Sequence, residues 1–313
     1  MHNYKIGYLE VALVALTGLV PLMRSIYLFL ARFRPYKGIP LVSLDNEGLQ
    51  NPSNHFNALV TQGASQTDGL FQVMTENGPV VIVRHRYIEE YARNKSFAAP
   101  ENLKFEFADY SGFEPARLNI DSPGVLRDVL LRKARPSLGS LLPGIREAAF
   151  AATKNQFGEC SDWKDAGMRS DIVCIVTQVL SRILVGKRLG ENKKWLDVSQ
   201  AYTESFFVAK ARLQGIWYPL RWLSSWFLGS CDILRKSYAA CLPLIQAEIS
   251  SRAIQAQAIL SMEPAHPPDA INWLSDFSQC HDTPIDIAAA QLQLSAVGIQ
   301  TSSRAISNVC FLV

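Results

Sequence analysis

The sequence predicts a mainly α fold with a small β-sheet element, preceded by a helix of membrane-anchor type. Three observations carry that prediction. From residue 125 onward apolar residues recur at helical spacing almost without a break, two β-prone runs flank a tight-turn signal before that point, and the chain begins with an apolar stretch over residues 6–31. With 313 residues, 48% hydrophobic and 19% charged, there is enough apolar surface for one large or two ordinary cores. The balance of 31 basic against 28 acidic residues, with no Lys/Arg run, argues against a nucleic-acid partner. Cys160, Cys174, Cys231, Cys241, Cys280 and Cys310 are scattered without paired short spacings. Neither a disulfide framework nor a zinc site is indicated, and a reducing, cytosol-facing environment fits.

The stretch over 6–31 is long enough to cross the roughly 30 Å hydrocarbon layer of a bilayer. Glu10 and Arg24 confine its uninterrupted apolar run to residues 11–23, so the reading is a tilted single-pass anchor over 1–31 with its charges near opposite interfaces. A cleaved signal peptide is the main alternative, but the basic leader and the small-residue cleavage site are not evident; an ordinary buried helix is the other. Residues 32–41, beginning Arg32-Phe33-Arg34-Pro35-Tyr36-Lys37, form a basic proline hinge that places the remaining domain, 42–313, on the cytosolic side.

Phe71-Gln72-Val73-Met74 and Val80-Val81-Ile82-Val83 are expected to pair as a hairpin around Thr75-Glu76-Asn77-Gly78-Pro79, because Asn-Gly favours a tight turn. A short helix over 87–94 follows, then a loop over 95–121 that holds Phe97, Phe105, Phe107, Tyr110 and Phe113. Helices are expected over 125–131, 141–157, 171–184, 195–214, 233–260 and 271–280, with a final apolar helix over 284–313. Pro136 and Gly139 are expected to interrupt the first of these segments, and Pro264, Pro267 and Pro268 to mark a turn.

Nucleophile elbows, phosphate-binding glycine loops, dinucleotide fingerprints and H-E-x-x-H zinc motifs do not occur. Cys280-His281 with His266 fits no structural zinc spacing and reads as loop chemistry, and Asn94-Lys95-Ser96 is a sequon of the kind that arises by chance. The informative local pattern is Gly298-Ile299-Gln300-Thr301-Ser302 inside the last apolar helix. Ser and Thr hydroxyls can bond back to the preceding turn, and glycine leaves space beside the backbone. Such a helix either runs past a cofactor or substrate, or is a bent helix packed in a core.

Taken together, the anchor, the basic proline hinge, the Glu-Asn-Gly-Pro hairpin, the train of helices and the final Gly-x-Gln-Thr-Ser resemble the cytochrome P-450 family of haem-thiolate monooxygenases. The nearest likeness is to fungal microsomal members that oxidise terpenoids and other secondary metabolites. The strongest local match runs from Val185-Gly186 through Leu189-Gly190-Glu191-Asn192 to Trp195-Leu196, similar to V-G-x-x-L-C-R-N-x-x-W-L. Gly190 and Glu191 depart from it, standing where Cys and Arg are usual. Tyr110-Ser111-Gly112-Phe113-Glu114-Pro115 and Gly78-Pro79-Val80-Val81 are further matches.

The resemblance implies the N-terminal part of the cytochrome P-450 fold. It assigns oxygen activation to Thr301, Gln300 and Gly298, substrate contact to Val297, Phe206 and Phe207, and a haem propionate to Arg132 or Arg135. Gln300 stands where an acid or alcohol relays protons, and an amide can only hydrogen-bond there. Trp217, Tyr218, Trp222, Trp226 and Phe227 fall where the family places its entry lid, facing an apolar substrate or the membrane, or simply packed in a core. The cofactor implied is haem, and the partners are membrane lipid, an NADPH-dependent reductase and an apolar small-molecule substrate, on the endoplasmic reticulum. The axial cysteine of an F-x-x-G-x-x-x-C loop and an E-x-x-R pair beyond the central helix have no match; Phe227-Leu228-Gly229-Ser230-Cys231 has the wrong spacing and Glu90-Tyr91-Ala92-Arg93 the wrong place. The expectation is therefore a chain cut short after its oxygen-activating helix, without a metal ligand, binding haem poorly and inactive alone. The alternative is a non-catalytic membrane-anchored relic or partner-binding protein.

Overall fold

In the computed structural model, the described residues are 23, 34–43, 52–75, 78–94, 109–159, 167–258 and 268–310. The anchor segment 1–31, apart from Met23, lies outside them, as do Phe97, Phe105, Phe107, His266 and Cys160. Among the described residues no helix is long and apolar enough to cross a membrane. The chain divides into two compact units, Met1–Ala98 with Gln214–Arg221, and Ala99–Leu213 with Trp222–Val313.

The first unit holds a three-stranded sheet in the order β1 (Leu41–Val42), β2 (Leu70–Thr75), β3 (Gly78–Val83), with helix α1 (Pro52–Gln66) between the first two strands and α2 (Ile88–Arg93) after the third. Strand β3 pairs antiparallel to β2, as the two β-prone runs predict, and the short β1, not expected from the sequence, pairs parallel to β2 on its other edge. Pro79 is tolerated because β3 is an edge strand, where a missing N–H interrupts no inner ladder. Val42, Leu59, Phe71 and Val73 form the core of this unit. The Phe71 ring lies so close to Gly63 that a Cβ there would stand 2.2 Å from it, so α1 reaches the sheet through a residue without a side chain. Gln72 is buried yet satisfied: its amide donates to the carbonyls of Tyr36 at 2.9 Å and Ile39 at 2.7 Å and accepts from the Tyr36 N–H at 2.8 Å. One side chain thus fastens the proline hinge to the sheet.

The second unit is helical. A 3₁₀ turn (Glu114–Arg117) and α3 (Leu118–Asp121) occupy part of the stretch expected to be loop, because Pro115 at the start of the turn has its backbone angle set for it and lacks only an N–H that would be unpaired anyway. Helix α4 (Val125–Val129) then runs through a wide π turn (Leu130–Ala134) into α5 (Arg135–Phe157). The expected break at Pro136 is absent. The Arg135 N–H bonds to the Leu130 carbonyl five residues back, and this widened turn accommodates the proline ring and its missing donor without ending the helix.

Helices α6 (Met168–Leu184), α7 (Gly186–Gly190), α8 (Lys193–Gln214), α9 (Tyr218–Phe227), α10 (Gly229–Ala258), α11 (Ala270–His281) and α12 (Ile287–Cys310) complete the order. The last is central: within this unit α12 packs against α6, α10, α11 and the 3₁₀ turn. Asp286 caps it by accepting from the Ala289 N–H at 2.9 Å, and the Tyr238 hydroxyl of α10 donates to the same carboxylate.

An ion cluster ties three of these elements together. Arg252 of α10 donates to Glu248 at 2.9 Å, to both Asp269 oxygens at 2.8 and 2.6 Å, and to the Val185 carbonyl at 3.0 Å. Asp269 is itself the N-cap of α11, in a reciprocal capping box with Asn272. Arg188 binds Glu248 from α7 at 2.6 Å. Burial works against the Arg252 charge, but Asp269 first and then Glu248 hold its pKa above the ordinary value. Replacing Arg252 by Met leaves the nearly buried Asp269 without its cation and Glu248 with Arg188 alone, and should lower unfolding free energy by about 3–5 kcal/mol, read from urea titration of the helical signal.

Candidate functional site

Helix α12 is buried along its first half through Ala288, Leu292 and Ala296, and along one stripe of its second half through Ile299, Ser303 and Ser307. On another side it is open. Val297 is 50% exposed, and Thr301, one turn on, is exposed as well. The Thr301 hydroxyl donates back to the Val297 carbonyl at 2.8 Å, as the polar interruption predicts. Its proton is thereby occupied, while the residue itself is exposed. Gln300 is half-buried beside them.

Gly298 has a role the sequence does not show. A Cβ at this position would stand 3.1 Å from a methyl of Leu180, so the missing side chain admits α6 close to α12. Gln293, two turns before Thr301 on the same side of the helix, is 7% exposed, and its Oε1 is buried without a hydrogen-bond partner. Gln291, on the other side, is fully buried with both amide atoms unpartnered, and so is the Tyr202 hydroxyl, whose pKa burial pushes far up. A sequence reading centred on the pentapeptide passes over these glutamines. Their signal is two amides in the otherwise apolar run Ala288–Ala296.

Phe206 and Phe207 lie on α8 in an aromatic group: Phe206 meets Phe113 edge-on at 5.1 Å and Phe207 at 5.3 Å. Phe206 is buried, whereas Phe207 is at the surface. Phe113 leads directly into the 3₁₀ turn that packs on α12, which brings this group to the α12 neighbourhood. Gly112 is there for a close approach, since a Cβ on it would meet the Cys231 carbonyl at 2.7 Å, and its φ of +96° suits glycine. Ser111 is pinned by Ser225 and Arg235, its N–H donating to Ser225 Oγ and its Oγ accepting from Arg235, each at 3.1 Å.

Arg132 and Arg135 are exposed at the π turn, Arg132 within 3.9 Å of Asp128; no hydrogen bond or ion pair joins either arginine to α12. Leu131, Leu138 and Leu142 of the same helical stretch are exposed too. Among the described cysteines, Cys231 and Cys241 are buried thiols with pKa values pushed up by burial to about 11 and about 12. Cys241 Sγ donates to the Ala288 carbonyl at 3.7 Å. Neither is poised as a thiolate.

The Val185–Leu196 motif is architectural. Val185 offers its carbonyl to Arg252 at 3.0 Å, and Gly186, at φ +77°, lies where a Cβ would be 2.6 Å from the Asp269 carboxylate. Asn192 accepts from the Lys194 N–H at 2.9 Å at the start of α8. Trp195, fully buried, donates its indole N–H to Ser181 at 2.9 Å. Gly190 sits 3.0 Å, at its would-be Cβ, from the Ser181 carbonyl.

No family model matches the chain. Curated fungal proteins do. The cytochrome P450 monooxygenase bsc11 of Alternaria brassicicola is 30% identical over 282 residues, 89% of this chain and 54% of that protein. The cytochrome P450 monooxygenase bsc2 of the same organism is 28% identical over 295 residues, 90% of this chain and 56% of its own length. The cytochrome P450 monooxygenase adrA of Penicillium rubens is 28% identical over 304 residues, 93% and 58% of the two chains. The chain belongs to the cytochrome P450 family. It spans about half the length of the curated relatives it matches.

The Val185–Leu196 motif ties the end of α6 to α10 through Val185 and Arg252, and α8 to α6 through Trp195 and Ser181. Three outcomes follow from these contacts and pKa shifts. Trp195→Phe removes a buried donor and strands Ser181, and should cost about 1–2 kcal/mol in a chemical denaturation series. The raised Cys231 and Cys241 pKa values mean that the folded chain holds those protons more tightly than the unfolded chain, whose thiols titrate near 9.0. The associated stability is present below about pH 9 and lost as pH rises toward 12, so the denaturation midpoint should fall over that window. At pH 8 a maleimide should label exposed Cys280 and Cys310 rapidly and leave Cys231 and Cys241 protected until unfolding.

Proposed function

We propose that these residues form the oxygen and substrate side of a haem-thiolate monooxygenase that inserts one oxygen atom into an apolar small molecule, a terpenoid or related fungal secondary metabolite. The observation that carries this reading is the exposed face of α12 on which Val297 and the back-bonded Thr301 stand one turn apart, where the buried first half of the helix gives way to a second half buried along one stripe. Haem, when bound in the family, supplies the oxygen activation. This chain's residues provide what surrounds it. Val297 offers an apolar contact, with the Phe206–Phe207 pair assigned to the substrate by resemblance, and Thr301 accepts a hydrogen bond from a proton-carrying water through its free lone pairs. Gln300 can orient that water but cannot supply its proton. The exposed Leu131, Leu138 and Leu142, with Arg132 and Arg135 beside them, suit an apolar macrocycle with acidic edges. The donor set for the iron does not fit: the 313 residues contain no F-x-x-G-x-x-x-C, and the buried described cysteines are neutral thiols.

The same reading places the chain at the endoplasmic reticulum membrane, facing the cytosol and served by an NADPH-dependent reductase, with the segment over 1–31 as anchor. Exposed Trp222, Leu223, Trp226 and Phe227 on one side of α9 support contact with lipid. A non-catalytic, partner-binding role is the second reading. The test is the reduced, carbon-monoxide-bound absorption spectrum of the 313-residue chain expressed in microsomes with added haemin. The expected result is no thiolate-haem band, and a clear band would overturn the assignment of the chain to the oxygen side alone.

A further inference from the structure

A cleft of about 350 Å³ opens between α5 and the chain that runs from α6 to the start of α8, and neither Val297 nor Thr301 lines it. That volume is at the small end of the range for ligand sites. Ala148, Ala151 and Leu196 form its apolar part. Its polar side chains are left unused by the fold. Arg182, Glu191, Gln178 and Asn155 all line the cleft, and none of these four side chains makes a hydrogen bond or ion pair with another described residue. Glu147 is the exception: Lys187 binds it at 2.8 Å and holds its pKa below the usual carboxylate range, so those two charges are matched.

Arg182 is half-buried and set in place by α5. A Cβ at Gly144 would stand 3.1 Å from its Nε and 3.2 Å from a terminal nitrogen, so a glycine there is what leaves room for the guanidinium. A cation so placed has lost part of its water without gaining a carboxylate, and its planar fork is shaped to hold one by two hydrogen bonds. Glu191 is an exposed anion on the same cleft. With Glu147 matched by Lys187, one positive and one negative charge remain. A dianion would be repelled by Glu191 and a dication by Arg182, whereas a molecule with one charge of each sign is opposed by neither. Gly190 and Glu191, the two departures from V-G-x-x-L-C-R-N-x-x-W-L, both line the cleft, and an Arg at 191 would make it doubly cationic.

We infer that this cleft binds a small zwitterion of α-amino-acid type, with its carboxylate on Arg182, its ammonium on Glu191 and its apolar side chain against Ala148, Ala151 and Leu196. Gln178 and Asn155, each with a free amide, supply further donors and acceptors to the polar end. The site is separate from the monooxygenase reading and stands whether or not that reading does. Its walls come from α5, α6, α7 and α8, so an occupant joins those helices and stabilises them against unfolding.

The test uses the full 313-residue chain in detergent with L-leucine, N-acetyl-L-leucine, which lacks the ammonium, and L-leucinamide, which lacks the carboxylate. Binding is read by calorimetry and by the thermal midpoint. L-Leucine should raise the midpoint and bind on the order of tenfold or more tightly than either analogue. Arg182→Gln and Glu191→Gln should each remove that preference and leave the midpoint of the ligand-free chain unchanged, because neither side chain bonds to the protein. A ligand-free midpoint that falls by several degrees in either variant would show a structural role for that side chain and overturn the site. Glu191→Arg should reverse the charge preference, weakening L-leucine and admitting succinate. Binding of none of the three compounds at millimolar concentration, or equal binding of leucine and its analogues, overturns the proposal.

Discussion

The helical unit hangs on one guanidinium. Arg252 reaches from α10 to the N-cap of α11 and to the carbonyl that ends α6, while Glu248 passes the connection to Arg188 on α7. Buried ion pairs add little net stability over an apolar replacement, because desolvation offsets much of the attraction. What this cluster contributes is geometry. Planar, bidentate contacts tolerate few arrangements, so the ends of three helices are fixed relative to one another, and α12, packed against α6, α10 and α11, inherits that placement. The orientation of Val297 and Thr301 is therefore decided some distance from them.

Much of the fold can be read from the sequence where one physical signal dominates. The β-prone runs at 71–74 and 80–83 around Asn77-Gly78 give the hairpin, and the 3.6-residue period gives the long helices to within a few residues of their ends. Helix α1 is not legible in the same way, because Asn, Ser, Gln and Thr dilute its apolar stripe and its packing rests on Gly63 admitting Phe71. The continuity through Pro136 is hidden for a different reason. Proline predicts the loss of an α-type hydrogen bond correctly, but not that the backbone will absorb the loss by switching to a five-residue spacing.

The candidate site is half legible. Thr301's back-bond to Val297 is what a hydroxyl in that helical position should do, and the openness of their shared face follows the polar interruption. Gly298 shows where local reading stops: a missing side chain signals close approach, and only the packing reveals that Leu180 is what approaches. Gln293 shows the converse. A single amide in an apolar run attracts little notice in sequence, and becomes informative only once its oxygen is seen enclosed without a partner.

The wide turn at Leu130–Ala134 has one more effect. Sequence spacing makes Arg132 and Arg135 neighbours on an ordinary helix, three apart and nearly superposed on one face. A five-residue turn advances each residue through a smaller angle, so across this stretch the two side chains splay apart, and Arg132 is left with Asp128 while Arg135 opens the next helix. Arg132 and Arg135, either of which the resemblance assigns to a haem propionate, thus leave the helix at more widely separated angles than an α-turn would give them. A single residue deleted from the turn would swing every side chain of α5 to a new bearing.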